Sequence, residues 1–198
     1  MDQKTHGAYD GAAAAFAKEW HEQPPPTDLQ SAVLRYFKPG RTADIGCGSG
    51  RDAGWLNDHG FPAVGFDASP GLLAEARRRY PQIRFVQSSL PELEGIADSS
   101  FVNVLCETVI MHLQPEGIAP SVRKLMAILA PGGTLYLTWR VTEGSDLRDT
   151  HGRLYSAFDS SIVFRALSGA NIIVDEQVTS ASSGKMIHRV IARKSDKK

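Results

Sequence analysis

Apolar residues recur along this chain in two rhythms. Over residues 12–22, Ala12, Ala13, Ala14 and Ala15 lead into Phe16, Ala17 and Trp20, which predicts a helix. Pro24, Pro25 and Pro26 end it, because proline lacks an N–H and clashes with the preceding turn. Thr27 is suited to cap a second helix through Leu29, Val33, Leu34 and Phe37, closed by Pro39 and Gly40. From Thr42 the rhythm changes to short apolar runs separated by helical stretches. Ala43 and Ile45, then Ala63, Val64 and Phe66, then Ile83, Phe85 and Val86, then Phe101 to Leu105, and finally Leu135 to Trp139 predict five strands. Between them lie helices near Ala53–Leu56, after the Ser69-Pro70 start signal, and over 115–129. Pro131-Gly132-Gly133 predicts the turn into the fifth strand.

Short apolar strands alternating with helices imply a mostly parallel sheet covered on both faces. The end of the chain departs from that order. After a helix near Phe164–Leu167, residues 172–178 and 186–192 predict two strands close enough to form an antiparallel hairpin. The expectation is one α/β domain: N-terminal helices over 1–40, a ligand-binding core over 41–140, and a loop, helix and terminal hairpin over 141–198.

The sharpest chemical signal is Asp44-Ile45-Gly46-Cys47-Gly48-Ser49-Gly50, at the exit of the first strand. Glycines there permit positive φ and let a ligand lie against the backbone, while the next helix presents unpaired N–H groups. Asp67 ends the second strand, where a carboxylate can accept hydrogen bonds from both hydroxyls of a ribose. A dinucleotide site wants G-x-G-x-x-G, but the spacing here is G-x-G-x-G, with Arg51 where the third glycine would stand. Asp44 beside the turn suits a cationic ligand better than a pyrophosphate. Charge complementarity therefore favours S-adenosylmethionine over NAD.

Composition narrows the class further. The chain has 198 residues, 42% of them hydrophobic, which suits one globular domain. No apolar run reaches the roughly 18 residues of a membrane span, and the N-terminus lacks a signal-peptide pattern, so a cytoplasmic location is expected. Lys plus Arg and Asp plus Glu both total 22, an even balance that argues against a nucleic-acid partner. Cys47 and Cys106 are too few for a CxxC metal site and read as free thiols; no metal is expected.

With these features in view, the sequence resembles the class I S-adenosylmethionine-dependent methyltransferases, in particular small bacterial enzymes with a D-x-G-C-G-S-G-R-D turn. Five segments match in order: Asp44 to Asp52, Phe66-Asp67-Ala68-Ser69, Ser88-Ser89-Leu90-Pro91, Val104 to Leu113, and Leu129 to Gly133. The resemblance implies a doubly wound seven-stranded sheet whose last strand is antiparallel. It implies that Gly46, Gly48 and Gly50 face the methionine and ribose parts of the donor. Asp67 would hold the ribose, Ala68, Ser89 and Leu90 would border the adenine, and Glu107 would lie near the methionine end. An acidic residue that many relatives carry near positions 88 and 89 is missing here. The donor-binding set also takes in Tyr9, as part of a lid, with Asp44, Cys47, Arg51 and Ser69.

Methyl transfer from a sulfonium uses an activated donor, so alignment and exclusion of water supply most of the acceleration. His112 is the candidate general base, or else a packing residue at the start of the next helix. Arg140 and His151 are candidates to hold an anionic acceptor, or else belong to a solvated connection over 141–153. Trp20 could join Tyr9 in that lid, or else belongs to the core of an amphipathic helix. Cys106-Glu107-Thr108-Val109 stands where a base-amino methyltransferase would carry (D/N)-P-P-(Y/F/W), and fewer than 45 residues precede the glycine turn. A small-molecule acceptor is therefore expected, with no separate recognition domain. Two other functions stay open: a non-catalytic S-adenosylmethionine-binding or regulatory protein, and an NAD-dependent oxidoreductase.

Overall fold

The structure, a computed structural model, describes residues 2–142 and 144–196. The strands, in chain order, are β1 (Thr42–Ile45), β2 (Ala63–Asp67), β3 (Arg84–Gln87), β4 (Phe101–Cys106), β5 (Leu129–Arg140), β6 (Leu147–Arg148), β7 (Leu154–Tyr155), β8 (Asn171–Thr179) and β9 (Met186–Arg193). Seven of them form one sheet in the order β3-β2-β1-β4-β5-β9-β8. Strands β1 to β5 pair in parallel, and β9 runs antiparallel to both β5 and β8. The expected sheet, including the reversed last strand, is present.

The helices are α1 (Gln3–Gly11), α2 (Ala13–Glu22), α3 (Thr27–Tyr36), α4 (Arg51–Asp58), α5 (Pro70–Arg79), α6 (Pro115–Ile128) and α7 (Ser161–Ala166). Side chains alternate across the sheet, so neighbouring residues serve opposite cores. Val104 and Leu135 pack with Ile118, Val122 and Leu125 of α6 and Val163 of α7. Leu105 and Tyr136 pack with Val33 of α3, Leu56 of α4 and Leu73 of α5. Each fully buried Leu or Val contributes roughly 1.5–3 kcal/mol. Between β1 and β4 the strand order reverses, which opens a crevice at the carboxyl ends of the strands.

Three local expectations need correction. The N-terminal segment is two helices, broken at Ala12 (φ −123°, ψ 25°), and α1 lies ahead of the predicted start. Its sequence gives little helical signal because Thr5 is its one buried residue. It is held instead by the Asp2 cap, whose carboxylate accepts from Thr5 N at 2.9 Å. Thr27 is the first residue of α3 rather than its cap, which is Pro26. Strand β5 begins before the Pro-Gly-Gly turn: Phe101 pairs with Leu129, and then Asn103 with Thr134, so the turn is carried within the strand as an irregularity.

Candidate active site

The glycine turn is folded by its own backbone. Gly46, Gly48 and Gly50 have φ of 75°, 52° and 84°, values that other residues adopt only with strain. Gly46 N and Cys47 N both donate to the Phe66 carbonyl, at 2.7 and 3.1 Å, which ties the turn to the end of β2. A Cβ at Gly46 would collide with Val109, and one at Gly48 would lie 2.7 Å from Trp20 Cζ3. A Cβ at Gly50 would instead lie 2.9 Å from Phe85 Cζ, on the core side of the turn.

Asp67 is locked at the rim of this turn. Its Oδ2 accepts from Gly48 N at 2.8 Å and its Oδ1 from Ser69 N at 2.9 Å. These backbone donors leave the carboxylate acceptor capacity for a ligand. Burial raises its pKa, and the backbone donors Ser69, Gly48 and Ala68 counter that rise. Ser69 itself works as a cap: its Oγ accepts from Leu72 N at 3.1 Å and donates to Asp10 Oδ1 at 2.8 Å.

Two more carboxyls complete an acidic floor. Asp44 is buried, its Oδ2 has no hydrogen-bond partner among the described residues, and its pKa lies well above the usual range. Burial is the main cause, with repulsion from Asp52 and Asp67 adding to it. Glu107 follows β4, and its Oε2 accepts from Thr138 Oγ at 2.6 Å. Burial pushes its pKa up to about 7 against the stabilising Thr138 hydroxyl. The next residue, Thr108, has φ of 54°, and its N–H donates to the same Thr138 hydroxyl at 2.9 Å. A β-branched residue in that conformation is strained, and here the strain shapes the turn that carries Glu107.

Opposite this floor stand α1 and the segment around β7. His112 lies in a 3-10 turn (Ile110–His112), 3% exposed. Its Nδ1 is 2.5 Å from the Leu154 carbonyl, which can only accept, so Nδ1 carries the proton. Nε2 is then an acceptor, and the Tyr9 hydroxyl donates to it at 3.0 Å. Burial pushes the imidazole pKa down to about 4, although the Leu154 carbonyl favours the cation. Tyr9 Oη also lies 3.4 Å from Arg153 Nη1, and Arg153 pairs with Asp149 at 2.6 Å.

These groups surround one cavity of about 400 Å³. Tyr9, Asp44, Gly46, Cys47, Gly48, Arg51, Asp67, Glu107, His112 and Arg140 all line it. A second cavity of about 290 Å³ is lined by Ala68 and Ser89, with Gln3 and His6 from α1. His6 Nε2 lies 3.1 Å from the Ala68 carbonyl, so α1 contributes to both cavities. Among the described residues, no group of three or more His, Cys, Asp or Glu could hold a metal ion.

Comparison with known proteins bears on this geometry. A methyltransferase-domain family model matches residues 43–133. Over that stretch, which holds the glycine turn, Asp67 and Glu107, the chain is similar to the methyltransferase domains of that family. It is 35% identical over 131 residues to a trans-aconitate 2-methyltransferase of Methylobacterium nodulans, an alignment covering 64% of this chain and 48% of that protein. It is 29% identical over 139 residues to a malonyl-[acyl-carrier protein] O-methyltransferase of Enterobacter lignolyticus, covering 70% of this chain and 54% of that one. The chain thus spans about half the length of the curated relatives it matches. In fold it is similar to the 1,6-didemethyltoxoflavin-N1-methyltransferase of Burkholderia thailandensis, whose structure holds 1,6-didemethyltoxoflavin and S-adenosylhomocysteine. That match has a TM-score of 0.74 at 21% identity and covers 98% of this chain and 88% of the other.

Four residues singled out from the sequence do not line either cavity. Gly50 packs toward Phe85 and Tyr80, Ser69 caps α5, and Leu90 belongs to the core. His151 is exposed, its ring 5.3 Å from that of Phe16. Conversely, Trp20, Thr108, Arg153, Tyr155 and Lys185 line the main cavity without having been singled out as ligand contacts. Arg153-Leu154-Tyr155 carries a readable signal, since the period-two alternation sends Leu154 inward and leaves its neighbours facing the cavity. Trp20 gives no such sign, because an aromatic on a helix reads as core.

Proposed function

We propose that this chain binds S-adenosylmethionine in the cavity at the carboxyl edge of the sheet and transfers its methyl group to a small-molecule acceptor. The observation that carries this reading is Asp67, fixed by Gly48 N and Ser69 N at the rim of the glycine turn, where its carboxylate lines the cavity. The donor set fits a cationic nucleoside. Asp67 would take the ribose hydroxyls, and the backbone at Gly46, Cys47 and Gly48 would lie against the methionine part. Asp44, with an unpartnered buried oxygen, and Glu107 would face the positive charges. Ala68 and Ser89, in the second cavity, would border the adenine. An acidic floor of this kind is a poor seat for the pyrophosphate of NAD.

S-adenosylmethionine supplies a methyl group already activated on a cationic sulfur. The protein's share is to align the acceptor and to keep water out. Helices α1 and α2 are suited to the second task, since Tyr9, Glu19, Trp20 and Gln23 wall the cavity. Arg140, at the end of β5, and the segment carrying Arg153 and Tyr155 would meet the acceptor. His112 is held neutral with both nitrogens engaged, which suits a positioning role through Tyr9. Among the described residues no helix is long and apolar enough to cross a membrane. The balanced charge favours a small acceptor over a nucleic acid.

The test is calorimetry with S-adenosylhomocysteine on the wild type and Asp67→Ala, with thermal melting to verify folding. A loss of tenfold or more in affinity is expected, the order of one charge-assisted hydrogen bond. Unaltered affinity would place the donor elsewhere. Incubation with methyl-labelled S-adenosylmethionine and a metabolite pool separates an enzyme from a binding module.

A further inference from the structure

Asp67 lines the main cavity, and the next residue, Ala68, lines the second, of about 290 Å³. The rest of that second wall is Gln3 and His6 from α1, with Gln87, Ser88 and Ser89 at the end of β3. No Asp, Glu, Lys or Arg is among them, so a ligand group seated there is met by hydrogen bonds and not by a fixed charge. Strands β2 and β3 run parallel with Asp67 opposite Gln87, and Ser88 N donates to the Asp67 carbonyl at 3.0 Å. Paired strands lie about 4.8 Å apart. A nucleoside whose sugar is held by Asp67 therefore has its base beside Ala68 and Gln87.

The Gln87 amide has its orientation set by a neighbour. Its Nε2 lies 3.1 Å from the Ala68 carbonyl, which can only accept, so the NH2 end is the one engaged. The other end, Oε1, is then an acceptor, and no group among the described residues donates to it. His6 Nε2 meets the same carbonyl at 3.1 Å, and the Ser88 hydroxyl donates to the Glu94 carbonyl at 3.4 Å. Ser89 is the complement of Gln87. Its carbonyl accepts from Leu93 N at 2.9 Å, but its own N–H has no partner among the described residues. The cavity thus pairs an oriented acceptor with an open donor. A 6-aminopurine presents the converse, an amino N–H beside the lone pair of a ring nitrogen, whereas a 6-oxopurine carries an acceptor at O6 beside a ring N–H.

We propose that Gln87 selects the base of the methyl donor: its Oε1 accepts from the 6-amino group of adenine, and Ser89 N–H donates to the adjacent ring nitrogen. The Ala68 carbonyl makes the selection possible, because it holds the amide NH2 and so keeps an acceptor at the other end. A 6-oxo base would set its carbonyl against Oε1, two acceptors with no proton between them. Its ring N–H would likewise oppose the Ser89 donor. This inference rests on the donor assignment above.

The experiment is calorimetry on the whole chain with S-adenosylhomocysteine and its 6-oxo analogue, S-inosylhomocysteine. The wild type should bind the adenosyl compound about tenfold more tightly, since the analogue loses hydrogen bonds and opposes the groups that made them. Gln87→Ala should weaken S-adenosylhomocysteine by about two- to tenfold and leave S-inosylhomocysteine unchanged or more tightly bound. Gln87→Glu separates contact from bracing: a carboxylate still accepts from the amino group but cannot donate to the Ala68 carbonyl. That variant should keep the preference for the adenosyl compound. Gln87 is exposed on an edge strand, so both variants should fold as the wild type does, which thermal melting verifies. Equal affinity of the wild type for the two compounds overturns the proposal. So does an equal loss on both in Gln87→Ala, which would mark the residue as a brace for Ala68, and so does loss of the preference in Gln87→Glu. Asp67→Ala tests the assignment beneath, and it should weaken both compounds alike because each carries the ribose. Unaltered affinity in that variant, or a wild type that binds neither compound, would fail the donor site itself.

Discussion

The Tyr9 hydroxyl donates to His112 Nε2 across 103 residues of sequence, at 3.0 Å. That bond joins α1 to the 3-10 turn after β4, where burial keeps the imidazole neutral with its Nδ1–H donating to the Leu154 carbonyl. Tyr9→Phe removes the donor and leaves Nε2 buried without its partner, at a cost of about 1–2 kcal/mol. Melting temperature should fall by about 2–8 °C for a chain of this size, which differential scanning calorimetry can read. Because burial and not Tyr9 lowers the imidazole pKa, NMR titration of His112 in the variant should still find it neutral at pH 6.

Glu107 sets stability against ligand binding. Its folded pKa of about 7 lies above the 4.5 of an ordinary glutamate, so the folded state holds a proton that the unfolded state has released. Stability is therefore fully retained below the ordinary value and declines as pH rises from there toward 7. Glu107→Gln should be more stable than the wild type at pH 8 by on the order of 1 kcal/mol, allowing for its contact with cavity water, and equal to it at pH 4. Its S-adenosylmethionine affinity should fall, since the carboxylate facing the donor is gone. Melting curves and calorimetry at the two pH values check both directions.

Asp2 clasps α1 to the far side of the cavity. It caps the helix at Thr5 and receives both Arg148 Nη atoms at 2.9 Å. The Arg148 hydrogen bond holds its carboxyl well below the usual range. This contribution is present above the ordinary carboxylate pKa and is lost as pH falls through the lowered one. Asp2→Ala should cost about 1 kcal/mol, mostly as the lost cap. Hydrogen exchange over residues 3–11 should accelerate, with the rest of the sheet unaffected.

Gly48 and Trp20 cannot both keep their places if a methyl group is added. A Cβ at residue 48 would meet Trp20 Cζ3 at 2.7 Å, and φ of 52° adds strain of about 1–2 kcal/mol. Gly48→Ala should shift tryptophan fluorescence and weaken S-adenosylhomocysteine binding. Gly60→Ala shares the strain, with φ of 83°, but nothing lies within 4 Å of its Cβ, so its binding should match the wild type. Comparing the two separates backbone strain from displacement of Trp20.

The sequence by itself determined the sheet and its ligand edge. Apolar runs of strand length, the glycine turn after Asp44 and the carboxylate at the end of β2 are local patterns, dictated by burial on both faces and by positive φ at a strand–helix junction. What faces the ligand was decided by tertiary structure. Gly50 carries the same local signature as Gly48, yet one abuts Phe85 and Tyr80 and the other Trp20. Helix α1 has almost no apolar face of its own, so its place over the cavity depends on Asp2–Arg148, Tyr9–His112 and Asp10–Ser69, contacts made 59 to 146 residues away. Arg140 and Arg153 are likewise alike in sequence. Only the fold pairs one with Asp149 and leaves the other stacked on Tyr155, because side-chain partners across loops depend on where the backbone returns.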